Sequence, residues 1–478
     1  MLGEVQNRQN FFTGLDAATF AGPVTTRGAD SFSDGRRELG VTSQTRRPRV
    51  LAVLPAFIPS TVLTVVKPLT SLHGEGRIVA DITLESLLSS RQVERADVVV
   101  FSRNTSARAL DAALAHRKPF IYDIDDDLFE IPRAYESALG AEEAARLERY
   151  LASADLVRAY SERLAERVRR INPRACRVDC AVDWSLVPQS PPERDNERVR
   201  IVYATSRWQE DELASLFMDD LRRLLREYAG RVEVFFWGYQ PPELRGARGV
   251  RMLDFVPNYD KFFRAYARAG FDIGLAPLRD DAFHRSKCNN KFREFAACWI
   301  AGVYSDVEVY SSCVREGRTG LLVSGERGSW FGAVSRLVED AALRRGIQEE
   351  AFRFARERYR LEKTSAVWLA HIEEVLRGER RVAFDQTNGA DFRMEGAREK
   401  TGARRSVNSS TRGSAGVRAA FGLLRRAVVR CLLPAARARG GGLRGARHWS
   451  RLYAHSLGEL LRVRWRLARA SRVGQGGV

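Results

Sequence analysis

The segment from Phe271 to Asp306 constrains the fold most, because its pattern predicts a strand, a loop, a helix and a second strand in succession. Its first stretch, Phe271 to Leu278, is a short apolar run containing Pro277, as expected of a buried parallel strand near its end. From residue 289 to residue 300, apolar residues recur at helical spacing: Phe292, Phe295, Ala296, Trp299 and Ile300. In an open α/β sheet, functional residues lie at the carboxyl ends of such strands.

Three charged residues near the start of that predicted helix fall outside its apolar face. Lys287, Lys291 and Glu294 are grouped at its N-terminal end, where unpaired backbone N–H groups and the helix dipole favour a phosphate. The two lysines add positive charge, and the carboxylate can accept hydrogen bonds from two sugar hydroxyls. This combination predicts a nucleotide-sugar site, but ordinary solvated charges on a surface helix would give the same pattern.

The alternation of strands and helices extends over most of the 478 residues. It predicts an α/β protein with two Rossmann-like, doubly wound parallel domains, over 49–190 and 198–363, and a crossover helix over 364–378 that returns to the first domain. Between the domains, the Pro- and charge-rich stretch from Pro188 to Glu197 predicts a hinge. Residues 1–48 are polar and without a sustained period, which is typical of a disordered segment.

A second charged feature is the loop from Tyr122 to Pro132, which places four carboxylates at the tip of a predicted strand: Asp123, Asp125, Asp126 and Asp127. So dense a cluster is costly unless it is solvated, hydrogen-bonded or bound to a cation. A calcium loop of the EF-hand type is excluded, because Leu128 and Ala134 stand where that loop needs Gly and Glu.

Two alternatives for this loop stay open. A phosphatase of the haloacid-dehalogenase type would use Asp123 as nucleophile and Asp125 as acid, although Asp127 replaces the Ser or Thr of that family. A capping and turn-forming acidic loop would need no ligand at all.

The run Lys287, Asn289, Lys291 and Glu294, together with the sequence DIDDDLFEIP, resembles the retaining glycosyltransferases of family 4 and, among them, a bacterial subgroup that carries DIDDDL. The resemblance covers roughly residues 49–376 and implies the GT-B fold. It implies that Glu294 holds the ribose of a donor nucleotide and that Asp125 stands where many members place a histidine facing the donor sugar. A metal-binding Asp-x-Asp of the other major glycosyltransferase fold is disfavoured, because only a short segment precedes the loop.

The resemblance also implies a set of site residues. Asp125 and Lys287 are the predicted catalytic residues, and the predicted donor-binding residues are Arg207, Lys287, Asn289, Lys291 and Glu294. Four more residues are predicted to line the cleft between the domains: Arg103, Asp123, Asp126 and Asp127. No metal ligand and no cofactor are expected, because enzymes of this fold generally stabilise the leaving diphosphate with basic side chains and a helix terminus.

The partners that the resemblance implies are a nucleotide-sugar donor and a glycan or lipid-linked acceptor, in the synthesis of a bacterial surface polysaccharide. Several positions depart from the family pattern. Ser286 replaces the first of two glutamates, Cys180 replaces an asparagine while the nearby Asp183 is retained, and Ala204 and Trp208 occupy positions that are often Gly and His. These departures keep open a catalytically inactive scaffold.

Positive charge is concentrated in the last part of the chain. Residues 381–478 contain 21 Lys and Arg against 5 Asp and Glu, so they carry +16 of the formal net charge of +18. Residues 380–478 are predicted to be a basic tail with amphipathic helices over 417–433 and 449–468, the second with Leu460 and Leu467 on its apolar side. Such helices suit an anionic membrane surface, contacted over 417–469. No nucleic-acid partner is expected, because no known RNA-binding module is present.

The remaining composition predicts where the protein works. The chain has no basic-then-apolar leader and no apolar run of the length of a membrane span, and its six cysteines show no metal-type spacing. We therefore expect a cytoplasmic protein with reduced thiols. Its basic tail would allow peripheral attachment at the inner face of the plasma membrane.

Overall fold

The computed structural model describes residues 46–103, 105–132, 139–193, 198–205, 211–378 and 443–473. Almost all of the predicted N-terminal segment and the predicted helix over 417–433 lie outside this described part. Among the described helices, none is long and apolar enough to cross a membrane.

The first domain is built on six parallel strands. They are β1 (Arg49–Leu54), β2 (Val79–Leu84), β3 (Val98–Ser102), β4 (Phe120–Ile124), β5 (Leu156–Ala159) and β6 (Ala175–Arg177), in the order β2-β1-β3-β4-β5-β6. Its helices are α1 (Pro59–Thr61), α2 (Lys67–Gly74), α3 (Ser90–Arg95), α4 (Ala107–Ala115), α5 (Ala141–Ser153) and α6 (Glu162–Arg169), with a π-helical turn over Val62–Val66 between α1 and α2. Along β1, Val50 and Leu51 are buried in different cores, so the sheet is covered on both faces.

The second domain repeats this arrangement. Its strands are β7 (Val199–Ala204), β8 (Val232–Trp237), β9 (Val250–Leu253), β10 (Ile273–Ala276), β11 (Ala301–Ser305) and β12 (Leu321–Val323), all parallel, in the order β12-β11-β10-β7-β8-β9. Its helices are α7 (Asp211–Ser215), α8 (Met218–Glu227), α9 (Tyr259–Arg268), α10 (Ala282–Arg285), α11 (Asn290–Ala297), α12 (Glu308–Ser311), α13 (Ser329–Glu339) and α14 (Ala341–Arg358). The prediction of two doubly wound parallel sheets is confirmed.

Two local features complete this description. Helices α7 and α8 are separate, because Phe217 between them leaves the helical conformation and packs its ring 5.2 Å from that of Tyr203. Strand β2 forms one edge of the first sheet. It pairs with β1 from Arg49 opposite Val79 onward.

Helix α15 (Leu361–Arg377) follows the second domain in sequence but packs on the first sheet. Trp368 is fully buried there, and its indole N–H donates to the carbonyl of Thr64 at 2.7 Å. That carbonyl belongs to the π-helical turn, whose altered hydrogen-bond spacing leaves main-chain groups for such partners. The helix therefore connects the end of the second domain to the first domain.

The last described helix, α16 (Leu443–Val473), corrects the expectation of a separate basic tail. Leu460 and Leu467 are at most 6% exposed and lie in the same core as β1, β2 and α2. Arg464 Nε donates to the carbonyl of Ile82 on β2 at 3.0 Å, so the helix covers the edge strand of the first sheet. The apolar side that was predicted to face lipid packs on protein instead.

Candidate active site between the two sheets

Both sheets reverse their strand order next to the site. The reversal lies between β1 and β3 in the first sheet and between β7 and β10 in the second. Ligands of open α/β sheets bind outside the carboxyl ends of the strands at such points. Arg103 directly follows β3, and the segment that contains α10 and α11 follows β10. Both groups of predicted site residues therefore lie at a reversal point.

On the first-domain side, Asp125 is bound by Arg103. One guanidinium nitrogen of Arg103 lies 2.5 and 2.7 Å from the two carboxylate oxygens of Asp125, and the other lies 3.4 Å from Asp126. Burial acts to lower the pKa of Arg103, but the two carboxylates hold that pKa above its ordinary value. The Asp125 side chain is only 6% exposed, so this pair is strong in a poorly solvated place.

The backbone of Arg103 is held as firmly as its side chain. Its φ of 58° lies in the left-handed region, which is uncommon for a residue with a Cβ. Its N–H donates to the carbonyl of Asp123 at 3.1 Å, and its carbonyl accepts the hydroxyl of Tyr122. The strain is therefore compensated by bonds to the neighbouring strand β4, and the guanidinium is fixed at the strand tips.

On the second-domain side, the loop between α10 and α11 makes an ion pair and a hydrogen bond with the first domain. Lys287 Nζ lies 3.3 Å from Asp126 Oδ1, and both side chains are nearly buried. The hydroxyl of Ser161 donates to the carbonyl of Ser286 at 2.7 Å. The structure thus brings together Asp125, Asp126, Arg103 and Lys287 from the predicted set.

Helix α11 has the register that the sequence predicts. Phe292, Phe295 and Ala296 are buried on its inner face. Lys291 and Glu294 lie off that face, with Lys291 Nζ 2.8 Å from Glu294 Oε2 and side-chain exposures of 29% and 12%. Both side chains are exposed enough to contact a ligand, and in this structure they form an ion pair with each other.

Asn289 is used inside the protein. Its amide N–H donates to the hydroxyl of Tyr359 at 2.9 Å, and its amide oxygen accepts from Arg293 Nε at 3.1 Å. Arg293, which was not among the predicted residues, is 2% exposed and also donates to the carbonyl of Ala181 at 2.8 Å. Asn289 therefore positions the start of α11 through this network, and a contact to a donor stays a prediction.

Asp123 lies inside the first domain, which corrects its prediction as a cleft residue. Its Oδ1 accepts from the Tyr160 hydroxyl at 2.7 Å and from Arg158 Nε at 3.3 Å, and both Asp123 and Arg158 are buried. Burial raises the pKa of Asp123 to about 6, against the opposing effects of Arg158 and Tyr160. These internal partners hold Asp123 within the first domain, which disfavours the phosphatase alternative, because that reaction needs Asp123 as a nucleophile in the cleft.

Asp127 stabilises the loop itself. It lies 3.3 Å from Arg167 and accepts from the backbone N–H of Phe129 at 3.3 Å, which caps the short 3₁₀ turn over Leu128–Glu130. Burial raises the pKa of Asp127 despite these partners. The capping role that the sequence left open therefore holds for this carboxylate.

Lys67 is a residue that sequence reasoning missed. Its Nζ lies 2.5 Å from Asp183 and 2.8 Å from Asp260, so one cation at the start of α2 joins the end of the first domain to α9 of the second. Although burial acts to raise it, Lys67 and Ser185 hold the pKa of Asp183 below its ordinary value. The sequence pointed to this pair only through Asp183, which is retained from the family pattern; nothing in the sequence pointed to Lys67 itself.

Ser286, which stands where the family pattern has its first glutamate, is turned toward its own helix. It is 2% exposed, and its hydroxyl donates to the carbonyl of Ala282 at 2.9 Å. Arg207 lies outside the described residues, three positions after the end of β7. Within the described part of the chain, no group of three or more His, Cys, Asp or Glu side chains is arranged to hold a metal ion.

Comparison with known proteins adds information about the fold. No protein-family model matches the sequence, and no curated protein matches it. Among solved structures, Anabaena HepE in complex with UDP and glucose matches with a TM-score of 0.52 at 12% identity, over 68% of this chain and 100% of that chain. Sucrose-phosphate synthase from Thermosynechococcus elongatus matches with a TM-score of 0.53 at 11% identity, over 70% and 100% of the chains.

A glycosyltransferase from Rickettsia africae also matches, with a TM-score of 0.53 at 12% identity, over 70% of this chain and 100% of that chain. At such low identity the likeness concerns the fold, which is the two-domain GT-B fold of glycosyltransferases. Membership of family 4 and of the DIDDDL subgroup stays a prediction.

Proposed function

We propose that this protein is a glycosyltransferase that moves a sugar from a nucleotide-sugar donor to an acceptor in the cleft between its two sheets. The observation that supports this most is the meeting of Lys287 with Asp126 and of Arg103 with Asp125 at the two strand-order reversal points. The cations can stabilise the charge on a leaving diphosphate, and the carboxylates can stabilise the positive charge that develops on the transferred sugar. Both kinds of group lie at the carboxyl edges of the two sheets.

In the proposed mechanism, the donor diphosphate lies at the N-terminal end of α11. Lys287 and Lys291 neutralise the charge that develops on the leaving diphosphate, together with the free N–H groups of the helix. Glu294 accepts the ribose hydroxyls. This assigns the work of a metal ion to side chains, and transfer is proposed to be metal-independent.

Asp125 is the proposed group at the reacting carbon. Arg103 keeps it ionised and fixes its two oxygens, so that a negative charge faces the positive charge that grows on the sugar ring in the transition state. Retention of the anomeric configuration is the outcome that the family resemblance implies. We propose a UDP-sugar as the first donor to test, because the HepE structure contains UDP and glucose.

The acceptor is proposed to be a glycan or a lipid-linked glycan in the synthesis of a bacterial surface polysaccharide. The test is to incubate the full-length protein with a panel of nucleotide-sugars and simple glycosyl acceptors, with and without EDTA, and to follow release of the nucleoside diphosphate. The proposal expects release with at least one donor, unaffected by EDTA, and a product whose anomeric configuration matches that of the donor by NMR. An inverted product would remove the assignment of retention.

A second candidate is a nucleotide-binding scaffold without turnover. The specific observation that favours it is Ser286, whose short side chain bonds to Ala282 where a glutamate would reach toward the donor sugar. A scaffold would bind a nucleoside diphosphate but would release none from any sugar donor in the panel. An enzyme would bind a nucleoside diphosphate and also release it from at least one sugar donor.

A further inference from the structure

Helix α16 uses its apolar side inside the protein. Leu460, Val463 and Leu467 are at most 7% exposed and belong to the core of the first domain. Arg464 also faces inward, where it donates to Ile82 and lies 3.4 Å from Asp81. This side of the helix is therefore already occupied.

Two bonds fix the direction of the helix along the first domain. The N–H of Phe57 donates to Ser456 Oγ at 3.0 Å, and Phe57 lies in the loop after β1, at the carboxyl edge of the sheet. Farther along the helix, the carbonyl of Leu467 lies 2.9 Å from Nε2 of His73, near the end of α2. The helix thus extends along the flank of the domain, from the edge where the cleft lies toward the opposite end of the sheet.

The outer side of α16 consists of a tryptophan among arginines. Arg462, Trp465, Arg466 and Arg469 are exposed, and their spacing of three and four residues places them on one side of the helix. Trp465 is 62% exposed, the largest value among the large hydrophobic side chains of the described residues. The guanidinium carbon of Arg469 lies 5.5 Å from the centre of its ring.

Acidic groups barely offset this charge. Glu459 is the one acidic residue in the sequence of α16, and its side chain is bound by Arg462. The exposed indole of Trp465 thus lies among cationic side chains, whereas Leu460, Val463 and Leu467 of the same helix are packed in the core. The patch formed by Arg462, Trp465, Arg466 and Arg469 is called the outer patch below.

We infer that the outer patch docks on an anionic membrane surface. Its positive charge complements acidic phospholipid headgroups, and tryptophan is the side chain that best occupies the boundary between headgroups and acyl chains. The helix then lies parallel to the bilayer with its apolar side against the protein, which is the reverse of a free amphipathic helix.

This docking would hold the first domain at the bilayer. Because α16 is bonded to that domain through Ser456 and Leu467, a bilayer on the outer patch lies along the flank of the first domain. Membrane docking itself does not depend on which reaction the cleft performs.

The experiment is flotation of the full-length protein with vesicles of phosphatidylcholine alone or with added phosphatidylglycerol. The test variant combines Arg462→Gln, Arg466→Gln and Arg469→Gln. The matched control combines Arg264→Gln, Arg268→Gln and Arg327→Gln, which removes the same charge from exposed positions of the second domain. Trp465→Ala is tested separately.

The wild type should bind only the anionic vesicles and be released as salt rises well above about 0.1 M. The outer-patch variant should bind at least about tenfold more weakly, the control within about twofold of wild type, and Trp465→Ala several-fold more weakly. All variants should keep the unfolding midpoint of wild type, because the altered side chains are exposed.

Equal partitioning of wild type and the outer-patch variant would overturn the inference. A competition experiment gives a second contradicting result. If single-stranded RNA displaced the protein from anionic vesicles at a lower concentration than soluble phosphatidylglycerol micelles did, the outer patch would be a nucleic-acid surface and the inference would be overturned. Nucleotide binding is measured on the same samples without vesicles. Vesicle binding without any nucleotide binding would reject the proposed function and leave the docking inference standing.

Discussion

Lys287 and Asp126 join the two domains at the candidate site, with Lys287 Nζ 3.3 Å from Asp126 Oδ1. The preceding residue, Ser286, accepts a hydrogen bond from Ser161 of the first domain at 2.7 Å. Both contacts fall on the loop between α10 and α11. A phosphate that binds Lys287 must therefore compete with a carboxylate of the protein itself.

This competition gives the first prediction. Asp126→Asn removes the charge that competes for Lys287 and should strengthen binding of a nucleoside diphosphate by up to about fivefold, equivalent to the roughly 1 kcal/mol of a partly exposed ion pair. Titration calorimetry measures the change, with Asp111→Asn, an exposed acid on α4, as the control. Weaker binding to Asp126→Asn would mean that this carboxylate helps to hold the donor.

The second prediction concerns Asp125. Asp125→Asn keeps the shape of the side chain but removes its charge, so it should lower kcat by about 100-fold or more while KM for the donor stays within about threefold. Steady-state kinetics on the preferred donor gives both values. An equal loss in binding and turnover would place Asp125 in donor binding instead of at the reacting carbon.

The third prediction follows from the buried Asp123. Burial raises its pKa to about 6 from 3.8, so the folded protein takes up a proton at a pH where the unfolded chain does not. This group therefore adds stability that is complete below about pH 4 and is lost as the pH rises through 6, by about 3 kcal/mol in total.

Urea unfolding of wild type and Asp123→Asn at several pH values measures this contribution as a difference, because the asparagine does not titrate. Tyr160→Phe is the milder variant. It removes a hydrogen bond that lowers the pKa, and so moves the loss of stability to higher pH. Parallel stability curves for wild type and both variants would contradict the assignment.

The fourth prediction concerns the docking of α16 on the first domain. Leu460 is 1% exposed, so Leu460→Ala should cost about 2–5 kcal/mol of unfolding free energy. Leu114→Ala, at a position 38% exposed on α4, should cost less than about 0.5 kcal/mol. Equal small effects would show that α16 is a separable tail, as the sequence alone suggested.

Much of the fold could be predicted because it depends on local periodicity. The apolar positions Phe292, Phe295 and Ala296 gave the register of α11, and that register alone placed Lys291 and Glu294 on the open side. The meeting of Arg103 with Asp125 was likewise accessible, because each follows one of two neighbouring parallel strands. A residue just past one strand tip lies beside a residue just past the next.

The rest depended on information that a single pattern does not contain. Asp123 lies within β4 and bonds to Tyr160 and Arg158, whereas Asp125 lies just past the end of that strand and bonds to Arg103. The local sequence pattern does not show which of these partners each carboxylate takes. The contacts of Lys67 join residues far apart in sequence. An apolar stripe on a basic helix shows that the stripe will be buried, but not whether lipid or protein will bury it, and for Leu460 it is protein.

The most direct test of the account is the affinity of the protein for nucleoside diphosphates and their sugars, measured by calorimetry on wild type, Lys287→Ala, Lys291→Ala and Glu294→Gln. Arg285→Ala serves as the control, because it removes an exposed cation that is paired with Asp280 outside the proposed site. Binding of one nucleotide class by wild type, weakened by about 1.5–3 kcal/mol in each of the three site variants and unchanged in the control, is the predicted result. Wild-type affinity in all three site variants, with unfolding midpoints unchanged, would contradict the central claim that a nucleotide-sugar binds at the start of α11.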